Sequence, residues 1–560
     1  MDYSKEYGEW LEKAVIDPDI ASELRTIASD GDAVNDRFYR DLEFGTGGLR
    51  GVIGAGRNRM NVYTVGRVTQ GLSDYIRANF PEGSRSVAVS YDSRIKSDLF
   101  ARTASAIFAE NGIRVHIYPE LMPTPALSFA VRHLGASAGV MITASHNPSE
   151  YNGYKVYNSA GCQVTDAAAS EISSYIEKVD LFGGISFGDF DELMDAGMIS
   201  YIESETVTAF IENVKAQSLI ASENIDRSVA VVYTPLNGTG LSCVTRTLRE
   251  CGYTNISLVE EQSYPDGTFA TCPYPNPEIR QAMQKGIEKA ERIGADLLVA
   301  TDPDCDRVGI AVREKSGEYR LLTGNETGIL LTEYICERRE ALGTMPDRPL
   351  LIKTIVTSGL AGAIAESHGV EVMNVLTGFK YIGEQIGLLE QKGEEDRYIF
   401  GFEESYGYLA GTYVRDKDGV VASMMILDMY SWWHSQGISL IEKLDGIYSR
   451  YGYWLNTLYS YQFEGESGFR RMKEIMTDLR TKGIGSIENE SITDYLKGVG
   501  TLPPSDVVRF ALADGSSIIV RPSGTEPKLK AYFSVKASGE ADAERTEKEL
   551  TKAFREAIGV

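Results

Sequence analysis

Short runs of β-branched and apolar residues alternate along this chain with longer amphipathic stretches that close on glycine. Three segments share one order: strand, helix, strand, helix, strand, polar loop. In the first, SVAVSYD from Ser86 leads to a helix beginning near Lys96, then IRVHIYP, a helix through PALSFAVRHLG, and GVMITAS ending at Ser145. The second runs from SVAVVYTP at Ser228 through LSCVTRTLRECG, NISLVEE and EIRQAMQKGIEKAERIG to ADLLVATD, ending at Asp302. The third runs from PLLIKTIVTS at Pro349 through LAGAIAESHG, VEVMNVL and YIGEQIGLLEQKG to RYIFGFEES. This pattern predicts three related α/β domains with mixed, mainly parallel sheets. Each segment keeps its most polar cluster for the loop after its last strand. Open α/β sheets bind ligands at the carboxyl ends of their strands, so the three loops are expected to face a central cleft.

The region beyond Tyr453 changes period. DVVRFALADGSSIIVRPSGTEPKLKAYFSVKAS reads as adjacent antiparallel strands closed by a helix in ERTEKELTKAFREAI, a smaller α+β C-terminal domain. The acidic, amphipathic start MDYSKEYGEWLEKAVIDPDIASELRTI reads as a helical extension. The expected division is 1–40 extension, 41–205, 206–322 and 323–452 α/β domains, and 453–560 α+β domain, with linkers near Asp180–Ser204 and Tyr453–Gly468.

Composition narrows the class. With 43% hydrophobic and 24% charged residues over 560 positions, the chain is of ordinary globular make-up and too long for one core. A net charge of −24 argues against nucleic acid as partner. A phosphorylated substrate would need a local cationic pocket or a metal. The six cysteines form no CxxC pair, which fits reduced thiols in the cytoplasm better than disulfides or zinc. No signal-peptide pattern and no apolar run of membrane-spanning length is found, so no membrane partner is expected; VVASMMILDMYSWW, interrupted by Asp428, reads as a buried helix.

Four polar clusters carry the candidate chemistry. TASHNPSEYNGYK (Thr143 to Lys155) places a serine hydroxyl beside His146 in a turn-rich loop, a nucleophile next to an acid/base, with the cation of Lys155 nearby. DPDCDR (Asp302 to Arg307) spaces Asp302, Asp304 and Asp306 alternately, so on an extended segment they converge on a hard cation. It is no EF-hand, because Arg307 and Arg313 stand where Gly and Glu are required. GFEESYG (Gly401 to Gly407) presents Glu403 and Ser405 two apart on an expected extended loop, suited to neighbouring sugar hydroxyls. RPSGTEPK (Arg521 to Lys528) concentrates a guanidinium, hydroxyls and backbone N–H groups, a phosphate cradle unlike the Walker pattern. GASAG at Gly135 to Gly139 matches a hydrolase elbow only by letter, since a strand follows its serine instead of preceding it.

Together and in this order, TASHNP, DPDCDR, GFEESYG and RPSGTEPK resemble the α-D-phosphohexomutase family, which includes phosphoglucomutases and phosphomannomutases. The likeness covers nearly the whole chain after the extension, and the extension with FGTGGLRG is similar to the longer phosphoglucomutase-2-type branch. The resemblance implies Ser145 as phosphoserine, His146 in proton transfer, and Mg²⁺ held by Asp302, Asp304, Asp306 and a phosphoserine oxygen at Ser145. It implies Glu403 and Ser405 on the sugar, and Arg521, Ser523, Gly524 and Thr525 on the non-reacting phosphate. Arg50, Lys155, Arg307 and, in TGFKYI, Thr377, Gly378 and Lys380 match family positions lining the cleft. Gly47 stands where much of the family has Ser, and Cys305 where Ala is frequent.

The implied reaction interconverts glucose 1-phosphate and glucose 6-phosphate through glucose 1,6-bisphosphate, which also serves as activator, in a cytoplasmic monomer or homodimer acting on small sugar phosphates. The alternatives are phosphomannomutase, phosphopentomutase or sugar-bisphosphate synthase with the same site. A phosphatase with the same nucleophile and metal is less favoured and would be marked by release of free phosphate; a silent sugar-phosphate-binding regulator is disfavoured, since binding alone needs no nucleophile.

Overall fold

The computed structural model describes residues 3–560 apart from 46, 464, 486 and 524–527. They form two compact units: 3–322 with 382–395 and 406–431, and 323–381 with 396–405 and 432–560.

In the first unit, the first α/β repeat builds a six-stranded sheet. Its order is Gly48–Val52, Tyr151–Asn158, Ala138–Ile142, Ser86–Tyr91, Arg114–Ile117, Ile199–Tyr201. The three strands expected of the repeat lie side by side and parallel, the first between the second and the third. The second repeat does the same with Val231–Thr234 between Ile256–Leu258 and Leu297–Thr301, and adds Val308–Arg313 and Tyr319–Leu322 antiparallel. In the second unit Leu350–Thr354 lies parallel between Glu371–Val375 and Tyr398–Glu403. The threefold pattern is therefore a threefold topology. The strands Ala138–Ile142, Leu297–Thr301 and Leu350–Thr354 are buried along their whole length, as the mostly apolar runs of the first two require when both faces are covered; the third buries Lys353 as well.

The N-terminal segment of the first unit forms helices Ser4–Lys13, Pro18–Thr26 and Gly31–Phe38. Asp17 and Asp30 cap the second and third by accepting from backbone N–H groups. Trp10, 2% exposed, packs edge-on against Phe38, Tyr63 and Phe182, tying these helices to the first repeat's core.

Both expected linkers are structured. Within Asp180–Ser204 lie the helix Phe190–Asp195 and the strand Ile199–Tyr201, which extends the first sheet beside Arg114–Ile117. Tyr453–Gln462 is a ten-residue strand paired antiparallel with Lys528–Ala537. It lies at one edge of the C-terminal sheet and completes its order with Ser517–Pro522, Val508–Ala511 and Ser491–Asp494. Acidic residues and glycines suggest linkers at both places, yet Ile199–Tyr201 and Tyr453–Gln462 are edge strands, which tolerate such neighbours because one side faces solvent. Phe510 and Phe533 fill this domain's core together with Phe554 of the helix Glu540–Ile558. VVASMMILDMYSWW lies in the helix Gly419–Ser435 as expected, and buried Asp428 accepts from Ser218 Oγ and from Tyr253 Oη at 2.7 Å. Among the described residues, no helix is long and apolar enough to cross a membrane.

Candidate active site

The strand Ala138–Ile142 stops three residues short of the predicted end. Beyond it, Ser145 takes a left-handed backbone with φ of +52°. That conformation is costly for a residue with a side chain, and it turns the hydroxyl out of the strand direction. Ser145 Oγ donates to Asp302 Oδ2 at 2.8 Å, and His146 Nδ1 stands 3.2 Å from the same oxygen. Ser145 itself is 3% exposed.

Asp302, Asp304 and Asp306 do converge, one oxygen from each lying within 4.8 Å of the others. The means differs from the expected extended segment. After the strand Leu297–Thr301 the chain turns, with Cys305 at φ +53° and its N–H bonded to Asp302 O at 2.9 Å. Asp302 Oδ1 accepts from the N–H groups of Asp306 and Arg307, so the turn holds its own first carboxylate in place. Glu403 likewise ends the strand Tyr398–Glu403, and Ser405 lies in a turn, with Tyr406 at φ +65°, rather than on an extended loop.

Three buried carboxylates this close demand positive charge. Lys155 Nζ lies 2.8 Å from Asp304 and 3.3 Å from Asp306, and Lys417 Nζ 3.3 Å from Asp306. Lys155 is aimed by its strand, where it pairs opposite Met141 on one side and Gly48 on the other. Gly153 on that strand has no room for a side chain: a Cβ would sit 2.5 Å from Thr143 O. Thr124 Oγ1 donates to Asp304 at 2.8 Å. Burial and the neighbouring Asp304 and Asp306 push the Asp302 carboxyl well above the usual range. Burial works the same way on Asp304, but Lys155 outweighs it and holds that carboxyl below its usual range. Burial opposes the charge on Lys155, yet Asp304 and Asp306 raise its pKa. Asp304 Oδ1 and Asp306 Oδ1 are buried and have no hydrogen-bond partner among the described residues. Oxygen donors left open in an acidic cluster fit a hard divalent cation.

Burial, then the charges of Arg307 and Arg50, push His146 well below its ordinary pKa, so its ring is neutral at physiological pH. Arg50 Nη1 donates to Asn147 Oδ1 at 3.1 Å, and Arg307 Nη1 pairs with Glu278 at 2.5 Å. The first unit thus gathers Ser145, His146, Arg50, Lys155, Arg307 and the three aspartates around one point.

The other predicted residues belong to the second unit. Thr377, Gly378 and Lys380 follow the strand Glu371–Val375, so they and the Glu403–Ser405 turn stand at the carboxyl ends of strands of one parallel sheet. Glu404 Oε2 accepts from Thr354 Oγ1 at 3.2 Å and from Thr357 Oγ1 at 3.4 Å. Arg521 is the last residue but one of the C-terminal sheet strand Ser517–Pro522, with Ser523 just beyond the strand; Gly524 and Thr525 lie outside the described residues.

Sequence reasoning passed over Thr124 and Lys417. Thr124 looks like the start of a helix and nothing local marks its carboxylate partner, 180 positions away. Lys417 carries a signal in the run Arg415-Asp416-Lys417-Asp418, which follows GFEESYG after seven residues.

Four family models match the chain in order. They are described as phosphoglucomutase/phosphomannomutase alpha/beta/alpha domain I over 41–182, domain II over 208–317, domain III over 323–451, and the C-terminal domain over 472–553. A phosphoglucomutase of Staphylococcus saprophyticus is 38% identical over 516 residues, 90% of this chain and 92% of that one. A phosphoglucomutase of Staphylococcus aureus is 36% identical over 518 residues, covering 89% and 90%. Among solved structures, parafusin, a phosphoglucomutase from Paramecium, superposes with a TM-score of 0.70 at 18% identity, covering 93% of this chain and 96% of its own. A phosphoglucomutase/phosphomannomutase family protein from Burkholderia thailandensis gives 0.67 at 18% identity, covering 92% and 97%; at such identity both speak to the fold alone. With every domain of the family matched in sequence and in order, the chain belongs to the phosphoglucomutase/phosphomannomutase family.

Proposed function

We propose that this chain is a phosphoglucomutase that interconverts glucose 1-phosphate and glucose 6-phosphate by way of a phosphoserine at Ser145 and glucose 1,6-bisphosphate. The observation that carries the reading is Ser145 Oγ, held 2.8 Å from Asp302 in a left-handed backbone at the edge of a three-carboxylate cluster. The relatives at 36–38% identity, both named phosphoglucomutase, favour glucose over mannose or a pentose.

In this reading phosphoserine 145 gives its phosphoryl group to the free hydroxyl of the sugar monophosphate, whose proton leaves to a nearby base. The resulting bisphosphate turns over and returns its other phosphoryl group to Ser145. His146, 3.2 Å from Oγ and neutral, is the base that takes the serine proton in this return step. Asp302, Asp304 and Asp306 would hold Mg²⁺, which supplies neutralisation of the charge on the transferring phosphoryl group. Lys155, Arg50 and Arg307 add fixed positive charge beside them. Glu403 and Ser405 would read sugar hydroxyls, Arg521, Ser523, Gly524 and Thr525 the non-reacting phosphate, and Thr377, Gly378 and Lys380 the same ligand. Small sugar phosphates are the partners implied, and a cytoplasmic setting suits six cysteines that are all free.

The test joins intact mass to turnover. Wild type exposed to glucose 1,6-bisphosphate should gain one phosphate on the peptide containing Ser145, and Ser145→Ala should gain none while keeping its melting temperature. That variant should lose at least about 1,000-fold in kcat, and chelation of divalent ions should silence wild type reversibly. Near-normal turnover by Ser145→Ala would end the reading. A panel of glucose, mannose and ribose 1-phosphates decides the sugar.

A further inference from the structure

Arg94 follows the strand Ser86–Tyr91 and is fully buried, yet it belongs to none of the four motif clusters. Its guanidinium is spent almost wholly on the backbone of the serine loop. Nη1 donates to Pro148 O at 2.7 Å and to Tyr151 O at 3.0 Å, while Nη2 donates to Ser145 O at 2.5 Å and to Asn147 O. Four carbonyls from one seven-residue stretch thus point at one side chain. On its other side lies Asp92, also fully buried, 3.3 Å from Nε.

Asp92 in turn reaches the same loop by a second route. Its Oδ1 accepts from Arg94 N and Ser97 Oγ, and its Oδ2 accepts from Thr143 Oγ1 at 2.6 Å. Thr143 Oγ1 then accepts from the N–H of Ser145 at 2.8 Å. Ser145 is therefore gripped at both backbone ends: its N–H through Thr143, its carbonyl by Arg94. Between those grips sits the left-handed φ of +52° that aims Oγ at Asp302. A non-glycine residue keeps such a conformation only where its surroundings over-determine it. The planar, five-donor fork of arginine matches four converging carbonyls, which a lysine ammonium does not.

We propose that Arg94, Asp92 and Thr143 are positioning residues that hold Ser145 in its left-handed presentation, so that the hydroxyl stands ready for phosphoryl transfer. The claim rests on the phosphoserine reading above for its consequence, though not for its geometry. None of the three touches the reacting atoms, so their loss should leave sugar phosphate binding largely intact. A displacement of the nucleophile near 1 Å should lower turnover about 100-fold.

The experiment uses full-length Thr143→Val, Thr143→Ser, Arg94→Lys and Arg94→Ala enzymes. Hydrogen exchange of the metal-free, substrate-free proteins reads the loop spanning 143–151 directly. Exchange there should rise about tenfold or more in Thr143→Val and Arg94→Lys and stay at the wild-type rate in Thr143→Ser. In glucose 1-phosphate turnover, Thr143→Val and Arg94→Lys should lose about 100-fold in kcat with KM within about threefold, and Thr143→Ser should recover most of it. Millimolar guanidinium, but not ammonium, should restore part of the kcat of Arg94→Ala by filling the vacated place. Should Arg94→Ala fail to fold, the near-isosteric Thr143→Val decides. Loop exchange unchanged in Thr143→Val overturns the proposal, as does kcat within about twofold of wild type. If wild type itself proves inactive on every sugar phosphate, the phosphoserine reading falls and loop exchange alone judges the positioning claim.

Discussion

Lys353 shows how a single residue can be at odds with its surroundings. It sits in the strand Leu350–Thr354, 5% exposed, with Nζ donating to Thr357 O at 3.1 Å. Burial, then the charge of Arg509, push its pKa down to about 8 against the pull of Glu404. The sign follows from linkage. The unfolded side chain titrates at 10.5, so the folded protein holds this proton less tightly. The penalty is complete below about pH 8 and disappears as pH rises towards the unfolded value. Lys353→Met should therefore stabilise the protein by about 1–2 kcal/mol at pH 7, the charge penalty less the lost hydrogen bonds to Thr354 O and Thr357 O. Urea unfolding at pH 7 and pH 9.5 checks it, with the gain expected to shrink at the higher pH. A gain independent of pH would trace to packing instead.

At the level of elements, the acidic turn Asp302–Asp306 is held by the start of a helix distant in sequence. Gly419 opens the helix Gly419–Ser435, and its N–H donates to Cys305 O at 3.1 Å. A Cβ on Gly419 would stand 2.6 Å from that oxygen and 3.2 Å from Cys305 Sγ. The obstacle is backbone of the very turn that aligns the three carboxylates, so it cannot yield without moving them. Gly419→Ala should cost about 2 kcal/mol in stability and raise the Mg²⁺ concentration for half-maximal activity several-fold. Thermal melts and a metal titration read the two effects separately. A variant destabilised with unchanged metal dependence would show that the turn is supported from elsewhere.

Over the whole molecule the dominant electrostatic fact is the net charge of −24. Self-repulsion of that size weakens the compact state and is screened by salt, whose Debye length falls to about 10 Å at 0.1 M. Melting temperature should thus rise by several degrees between about 10 and 300 mM NaCl. A flat or falling curve would mean that local ion pairs, such as those of Lys155 and Lys417 with the aspartates, outweigh the global field. Against that acidic whole, the serine loop and the acidic turn hold a local group of cations, with Arg50 on Asn147, Lys155 on Asp304 and Asp306, and Arg307 on Glu278.

Much of the plan was legible from residues alone. The period of SVAVSYD, SVAVVYTP and PLLIKTIVTS marks three first strands, each flanked by a strand on both sides in its sheet; their apolar stretches need both faces covered, although the third also buries Lys353. The residue types after the second repeat's third strand also marked Asp302, Asp304 and Asp306 as a cluster, and their carboxylates do converge. What local pattern could not supply was pairing across distance. Ser145 meets Asp302 across 157 positions, Thr143 meets Asp92 across 51, and Tyr453–Gln462, read as a linker, finds its partner in Lys528–Ala537. The left-handed backbones of Ser145 and Cys305, which convert a strand end and an acidic run into an aimed hydroxyl and a closed turn, arise in the same way. Helix and strand periods are written in neighbours a few residues apart, so sequence determines them. A strained φ survives only where buried partners from elsewhere in the chain hold it, and folding alone brings those partners together.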